Sequence, residues 1–162
     1  MVLGQTKNSL CLCVFVAISP TPNSDMNLRL TYRTPTIAEY NELRELAGWP
    51  TYEALVVKTA LENSLFSVCV EADKRIVGMG RIVGDNAIYL HIQDVIVHPD
   101  FQRKGIGKLV MDALLKYTEE VAGRNTNIGL MCSKGREEFY KEFGFKIRPS
   151  EEFGAGMIMV KK

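Results

Sequence analysis

The period of hydrophobic and polar positions changes several times along this 162-residue chain, and each change predicts an element. Residues 27–33 alternate, with Leu28, Leu30 and Tyr32 on one side, as a half-buried strand does. Thr34-Pro35-Thr36 then opens a helix with Ile37, Tyr40, Leu43 and Leu46-Ala47 on one face and Gly48 near its end. Thr51 reads as the N-cap of a second helix carrying Leu55, Val56, Thr59 and Ala60. Residues 64–71 and 76–83 are rich in Val, Ile and Phe and are joined by Ala72-Asp73-Lys74-Arg75, which predicts a hairpin. Gly84-Asp85-Asn86 turns the chain into residues 87–97, long for one strand, and a bulge near Gln93-Asp94 is a natural way to bend it. Helical spacing returns at Ile106, Leu109, Val110, Ala113, Leu114 and Tyr117, with Lys108, Asp112, Lys116 and Glu119 opposite. A strand over 127–133, a short helix over 135–143 and strands over 145–148 and 157–160 complete the order β, α, α, β, β, β, α, β, α, β, β. The expected architecture is a mixed α/β sheet of about six or seven strands flanked by about four helices.

A chain of this length with 46% apolar residues buries one good core, so a single domain over residues 26–162 is expected, with residues 1–25 as an extension outside it. The formal net charge of +1 points to neither nucleic acid nor a membrane surface. Cys69 and Cys132 lie in apolar runs, where a free thiol acts as a small hydrophobe, and with two histidines no zinc spacing appears. The expectation is a reduced, cytoplasmic protein without a metal. The extension leaves several readings open. Lys7 precedes the apolar run from Leu10 to Ile18, which is short of the about 20 residues a membrane span needs. A tail upstream of a natural start at Met26, an organelle-targeting piece, a secretory signal and an added strand all fit it.

The segment Gln102-Arg103-Lys104-Gly105-Ile106-Gly107-Lys108 joins a strand to the amphipathic helix. The first amides of a helix have no intrahelical acceptor, and the helix dipole puts partial positive charge there, so such a junction holds an anion. Gly105 and Gly107 let a ligand approach the backbone, and Arg103, Lys104 and Lys108 add full charges. A Walker A loop needs a glycine at 102 or 103 and Ser or Thr where Leu109 stands; the dinucleotide fingerprint needs a small residue where Val110 stands. Neither matches.

The run from Val95 through His98-Pro99-Asp100-Phe101 to Gly107, with the pattern Gln/Arg-x-x-Gly-x-Gly/Ala, resembles the acetyl-CoA motif of the GNAT superfamily of N-acetyltransferases. Phe139-Tyr140-Lys141-Glu142-Phe143-Gly144-Phe145 is similar to the family's FYxxxGF ending, and the resemblance spans residues 28–160. It implies the GNAT fold and acetyl-CoA as co-substrate. The pantetheine arm is expected along Asp94, Val95, Ile96 and Val97, and the pyrophosphate on Gln102, Arg103, Lys104, Gly105, Ile106, Gly107 and Lys108. Ser133 stands where many relatives carry Asn for the arm.

Direct attack in a ternary complex is implied, without a cysteine nucleophile. An alkylamine with pKa near ~10 must lose a proton before attack. Asp94 is the candidate water-mediated base or amine-orienting charge, with capping of the bulge as its structural alternative. A backbone N–H near Val95 is the candidate oxyanion donor, and Tyr140 the general acid for the leaving sulfur. Trp49, Tyr52, Tyr89, His91 and the loop 154–157 are candidates for the acceptor side. The acceptor is a small amine, a polyamine or a protein amino group, and a homodimer is expected. A noncatalytic acyl-CoA sensor on the same scaffold is the alternative. A nucleic-acid module is disfavoured for want of a stacking platform.

Overall fold

The computed structural model describes residues 27–160 and, outside them, Val16–Ala17. Six strands form one sheet in sequence order: β1 Val16–Ala17, β2 Leu28–Thr31, β3 Phe66–Ala72, β4 Arg75–Gly84, β5 Tyr89–Val97 and β6 Asn127–Leu130. All neighbours are antiparallel except β5 and β6, which run parallel. The described residues also form four α-helices: α1 Ile37–Leu46, α2 Ala54–Glu62, α3 Ile106–Val121 and α4 Glu137–Lys141. Residues 1–15 and 18–26, and with them the readings of the N-terminal extension, lie outside the described residues; Val16 and Ala17 pair with Leu30 and Arg29.

Local chemistry accounts for most boundaries. Thr36 caps α1 in a capping box, its hydroxyl accepting from the Glu39 N–H while the Glu39 carboxylate accepts from the Thr36 N–H. Asp73 and Lys74, both at positive φ, make the two-residue turn between β3 and β4 that matches strand twist. Asp85 accepts from three successive amides, those of Ala87, Ile88 and Tyr89, and so fixes the next turn.

The sheet has a core on each face. Val68, Val70, Leu90 and Ile92 pack with Val110, Met111 and Leu114 of α3; Cys69, Met79 and Ile96 pack with Tyr40 and Leu43 of α1 and Val57 and Leu61 of α2. α3 approaches over glycine: a Cβ at Gly80 would stand 2.7 Å from Val110 Cγ1, and one at Gly78 would stand 2.8 Å from Ile106 Cγ2. The expected bulge in β5 is present. Met79 pairs with Ile96 and Arg81 with Gln93, so Asp94 and Val95 together oppose Gly80, and Asp94 takes φ +52°. The extra residue inverts the alternation: Leu90 and Ile92 belong to the α3 core, whereas Ile96 belongs to the α1–α2 core.

Three expectations are corrected. α2 is capped at Glu53, not Thr51, and it buries Val57 and Leu61 while Leu55 and Val56 are exposed. Its first turn is apolar all round, so periodicity could not select the face. The strand over 127–133 stops at Leu130, where its ladder with β5 ends. Residues 145–148 and 157–160 form no strand, because neither run pairs with another.

Candidate active site

The parallel ladder between β5 and β6 ends at Ile92 and Leu130. Beyond it β5 continues as far as Val97, paired with β4 on one side and open on the other. Divergence of the two strands leaves a cleft of about 560 Å³. Val95, Ile96, Val97, Gln102, Arg103, Gly105, Gly107 and Lys108 line one wall, and Ser133, Lys134, Arg136, Phe139 and Tyr140 the other. The geometry thus brings together most of the residues expected to hold a pantetheine and its pyrophosphate. Ile106 is buried in the α3 core and Lys104 lies with its ammonium 5.0 Å from the Phe101 ring centroid, so neither side chain lines the cleft.

The loop of residues 102–108 owes its shape to two left-handed residues. Arg103 takes φ +60° and Gly105 φ +81°, and Gly105 caps α3 with no side-chain hydrogen bond. The first intrahelical amide bond runs from Leu109 to the Gly105 carbonyl, 3.1 Å, which leaves the preceding amides for a ligand. Gln102 closes the other side, its Nε2 donating to the Val97 carbonyl at 3.2 Å. The two glycines serve different ends. A Cβ at 105 would meet nothing within 4 Å, so its backbone conformation demands glycine; a Cβ at 107 would stand 3.3 Å from Phe139 Cζ. The second motif therefore packs on the first. Lys108 is partly neutralised by Asp112 at 2.9 Å, and Lys134 and Arg136 from the far wall add charge that the sequence reading missed.

Asp94 sits at the bulge, 7% exposed, with both oxygens engaged. Arg44 Nη1 donates to Oδ1 at 2.7 Å, while Arg81 Nε and, at 3.0 Å, the Tyr40 hydroxyl donate to Oδ2. Burial and the facing carboxylate push the Tyr40 phenol above its ordinary range. Arg44 is further held by donation to the Pro50 carbonyl at 2.8 Å and by the Trp49 and Tyr52 rings, 5.3 and 5.0 Å from its guanidinium carbon. None of Tyr40, Arg44 and Arg81 was singled out from sequence. For Arg81 and Asp94 the available signal was a lone charge in an apolar run, beside Ile82 and Val95; Arg44, between Leu43 and Glu45, and Tyr40 gave none.

Tyr140 reaches the cleft from α4, half-buried, its ring edge-on to Phe139 at 5.0 Å and to Phe145 at 6.3 Å. Its hydroxyl bonds to no described residue, and burial, followed by Cys132, raises its pKa above the ordinary 10. Trp49 lines the same cleft near Gln93 and Asp94. Tyr52 lines a second cleft of about 320 Å³, on the α1–α2 side, that meets the first at Gln93 and Asp94. Tyr89, 61% exposed, and His91 line neither cleft. His91 turns its Nδ1 to the Gly129 carbonyl at 2.9 Å, and burial lowers its pKa. Residues 154–157 are likewise absent from both linings. Among the described residues no group of His, Cys, Asp and Glu could hold a metal ion, and no helix is long and apolar enough to cross a membrane.

Residues 40–161 match the family model described as an acetyltransferase (GNAT) domain. The chain is 32% identical over 111 residues to an uncharacterized N-acetyltransferase, ycf52, of Pyropia yezoensis, covering 66% of this chain and 63% of that protein. It therefore spans a little under two thirds of that relative's length. It is 31% identical over 137 residues to GCN5-related N-acetyltransferase 1, chloroplastic, of Arabidopsis thaliana, covering 83% of this chain and 68% of that one. A probable acetyltransferase of unknown function from meticillin-resistant Staphylococcus aureus superposes with a TM-score of 0.77 at 28% identity, over 83% of this chain and 99% of that one.

Proposed function

The chain belongs to the GNAT acetyltransferases, and from that premise we propose that it moves the acetyl group of acetyl-CoA directly to an amine in a ternary complex. The observation that carries this reading is the single cleft with cation-flanked helix amides at one end, an open strand edge along its wall and the Tyr140 phenol facing it. The diphosphate is held by the amides of residues 105–108 with Arg103 and Lys108. The pantetheine amides pair with the open edge of Val95, Ile96 and Val97, and Ser133 donates from the opposite wall.

The amine nitrogen attacks the thioester carbonyl carbon, and the Val95 N–H stabilises the oxyanion. Collapse breaks the carbon–sulfur bond, and the departing sulfur takes the Tyr140 hydroxyl proton. A phenol raised above 10 stays protonated at neutral pH, as an acid must. Asp94 acts as a fixed charge that holds the bulge and orients the amine, because both of its oxygens already accept hydrogen bonds. Water carries the amine proton away and returns a proton to the Tyr140 phenolate. The acceptor, a small amine, polyamine or protein amino group, enters from the α1–α2 side past Trp49 and Tyr52, whose rings suit a cation. The domain is taken as residues 26–162. A reducing compartment supplied with acetyl-CoA is required, the cytoplasm or, as for the Arabidopsis relative, a chloroplast.

Tyr140→Phe tests the assignment. Turnover of acetyl-CoA against an amine panel should fall by about 10²–10⁴, the usual yield of general acid catalysis, while coenzyme A affinity by calorimetry stays unchanged. Tight binding without turnover in both proteins would instead support an acyl-CoA sensor.

A further inference from the structure

The charges around the smaller cleft, of about 320 Å³, do not balance. Asp94 is the sole carboxylate among the described residues lining either cleft, and it faces two guanidinium groups, those of Arg44 and Arg81. Each guanidinium has two of its nitrogens engaged by the protein. Arg44 uses Nε on the Pro50 carbonyl and Nη1 on Asp94. Arg81 uses Nε on Asp94 and Nη1 on the Ala60 carbonyl at 3.1 Å and the Ser64 hydroxyl at 3.2 Å. The third nitrogen of each, Nη2, bonds to no described residue. Ser67 Oγ is the one buried side-chain polar atom without a partner among the described residues, so neither Nη2 is sealed from solvent. Both arginines line the cleft.

The aromatic faces nearby are engaged as well. The Arg44 guanidinium carbon lies 5.5, 5.3 and 5.0 Å from the ring centroids of Tyr40, Trp49 and Tyr52, so the cation these rings suit is already supplied by the chain itself. A second ammonium group on an acceptor would meet two guanidinium groups and no spare carboxylate, and like charges in a half-closed cleft repel. An anion would meet unpaired N–H donors from both arginines, whose planar forks match the geometry of a carboxylate or a phosphate.

Resting on the acetyl-transfer reading above, we propose that the preferred acceptor is a short primary amine that also carries an anionic group, a carboxylate or a phosphate. Its amine lies where the two clefts meet, at Gln93 and Asp94, and its anion is held by Nη2 of Arg44 and Nη2 of Arg81. Val56, Val57 and Ala60 give an apolar wall for the carbons between the two ends. Gln93, whose side-chain amide bonds to no described residue, offers a neutral oxygen to an amine N–H at that junction. The anion on the acceptor completes the charge balance that Asp94 alone leaves open.

Acetyl transfer to glycine, β-alanine and γ-aminobutyrate is compared with transfer to their uncharged amides, and transfer to O-phosphoethanolamine with transfer to ethanolamine; putrescine and spermidine form the cationic arm. The best anionic amine should exceed its neutral counterpart in kcat/KM by about 10- to 100-fold, the yield of hydrogen bonds to a charged group, and the difference should lie mainly in KM. Whether the carboxylates or the phosphate lead identifies the group. In Arg81→Lys and in Arg44→Lys, which keep the charge and lose the fork, that preference should shrink about 10-fold. The preference is a ratio within one protein, so a loss of folded material cancels from it. Equal turnover of the acids and their amides, faster turnover of putrescine or spermidine, or a preference unchanged in both variants overturns the proposal and leaves the transfer reading standing. Where no amine is acetylated, calorimetry on the coenzyme A-loaded protein decides: uptake of an anionic amine and not of its neutral counterpart supports the anion site while the transfer reading fails, and uptake of both alike or of neither overturns the site.

Discussion

Asp94 accepts from two guanidinium groups and a phenol while only 5% of its side chain is exposed, against 9% for Arg44 and 14% for Arg81. Asp94→Asn keeps the shape and removes the charge, leaving two cations to face a neutral amide. Breaking one partner out of a buried pair costs about 3–5 kcal/mol, and a loss of that order in denaturant unfolding is the expected result. A second residue sets an acid limit. Glu39 is pulled down to about 2 from 4.5, first by its hydrogen bonds from Arg33 and then by the Thr36 amide, against the opposing effect of burial. Since the folded value lies below the unfolded one, the carboxylate's contribution is fully present above pH 4.5 and is lost as pH falls toward 2. The stability difference between wild type and Glu39→Gln should therefore be constant near neutrality and shrink across that window in a series of melts. Solvent screening keeps it modest.

At the scale of elements, the proposed binding site is the junction of β5, the loop and α3, and its glycines predict opposite behaviour. Gly105→Ala meets no atom within 4 Å but must hold φ +81°, which costs about 1 kcal/mol and opposes the cap of α3. Gly107→Ala needs no unusual φ and presses on Phe139 at 3.3 Å, a contact the ring relieves by a few tenths of an ångström. Calorimetric affinity for coenzyme A should fall several-fold for the first and change little for the second. An equal loss in both would mean that space for the ligand, rather than backbone conformation, selects glycine at 105. The bulge in β5 works at the same scale, since one inserted residue turns Asp94 toward α1 while Val95 and Val97 face α3.

For the whole molecule, the cleft is bounded by elements far apart in sequence, β5 with α3 on one wall and residues 133–140 on the other. A ligand spanning both walls ties them together. Coenzyme A at about 100 times its Kd should stabilise the fold by about 2.7 kcal/mol, with amide protection rising in the first turn of α3 and in α4 alike. Protection confined to one wall would contradict the assigned pose.

Much of this was already present in the chain. Period-two and helical spacing located the hairpin, α1 and α3, and the two motifs pointed to the loop of residues 102–108 and to Tyr140, which both line the cleft, because each signal is local to a few residues. The face of α2 was not readable, since Ala54-Leu55-Val56-Val57 is apolar on every side. The acceptor candidates divided similarly: Trp49 and Tyr52 reach the clefts, whereas Tyr89 and His91 face elsewhere. The pattern of side chains by itself determined the strands β2 to β5, the helices α1 and α3 and the glycine-rich junction between β5 and α3, because backbone propensity and turn chemistry are short-range properties. Tertiary structure alone decided that Arg44, Arg81 and Tyr40 converge on Asp94, that β5 and β6 part after Ile92, and that residues 157–160 pair with no strand. Those facts depend on which distant segments meet, and long-range pairing is set by packing and register across the whole sheet.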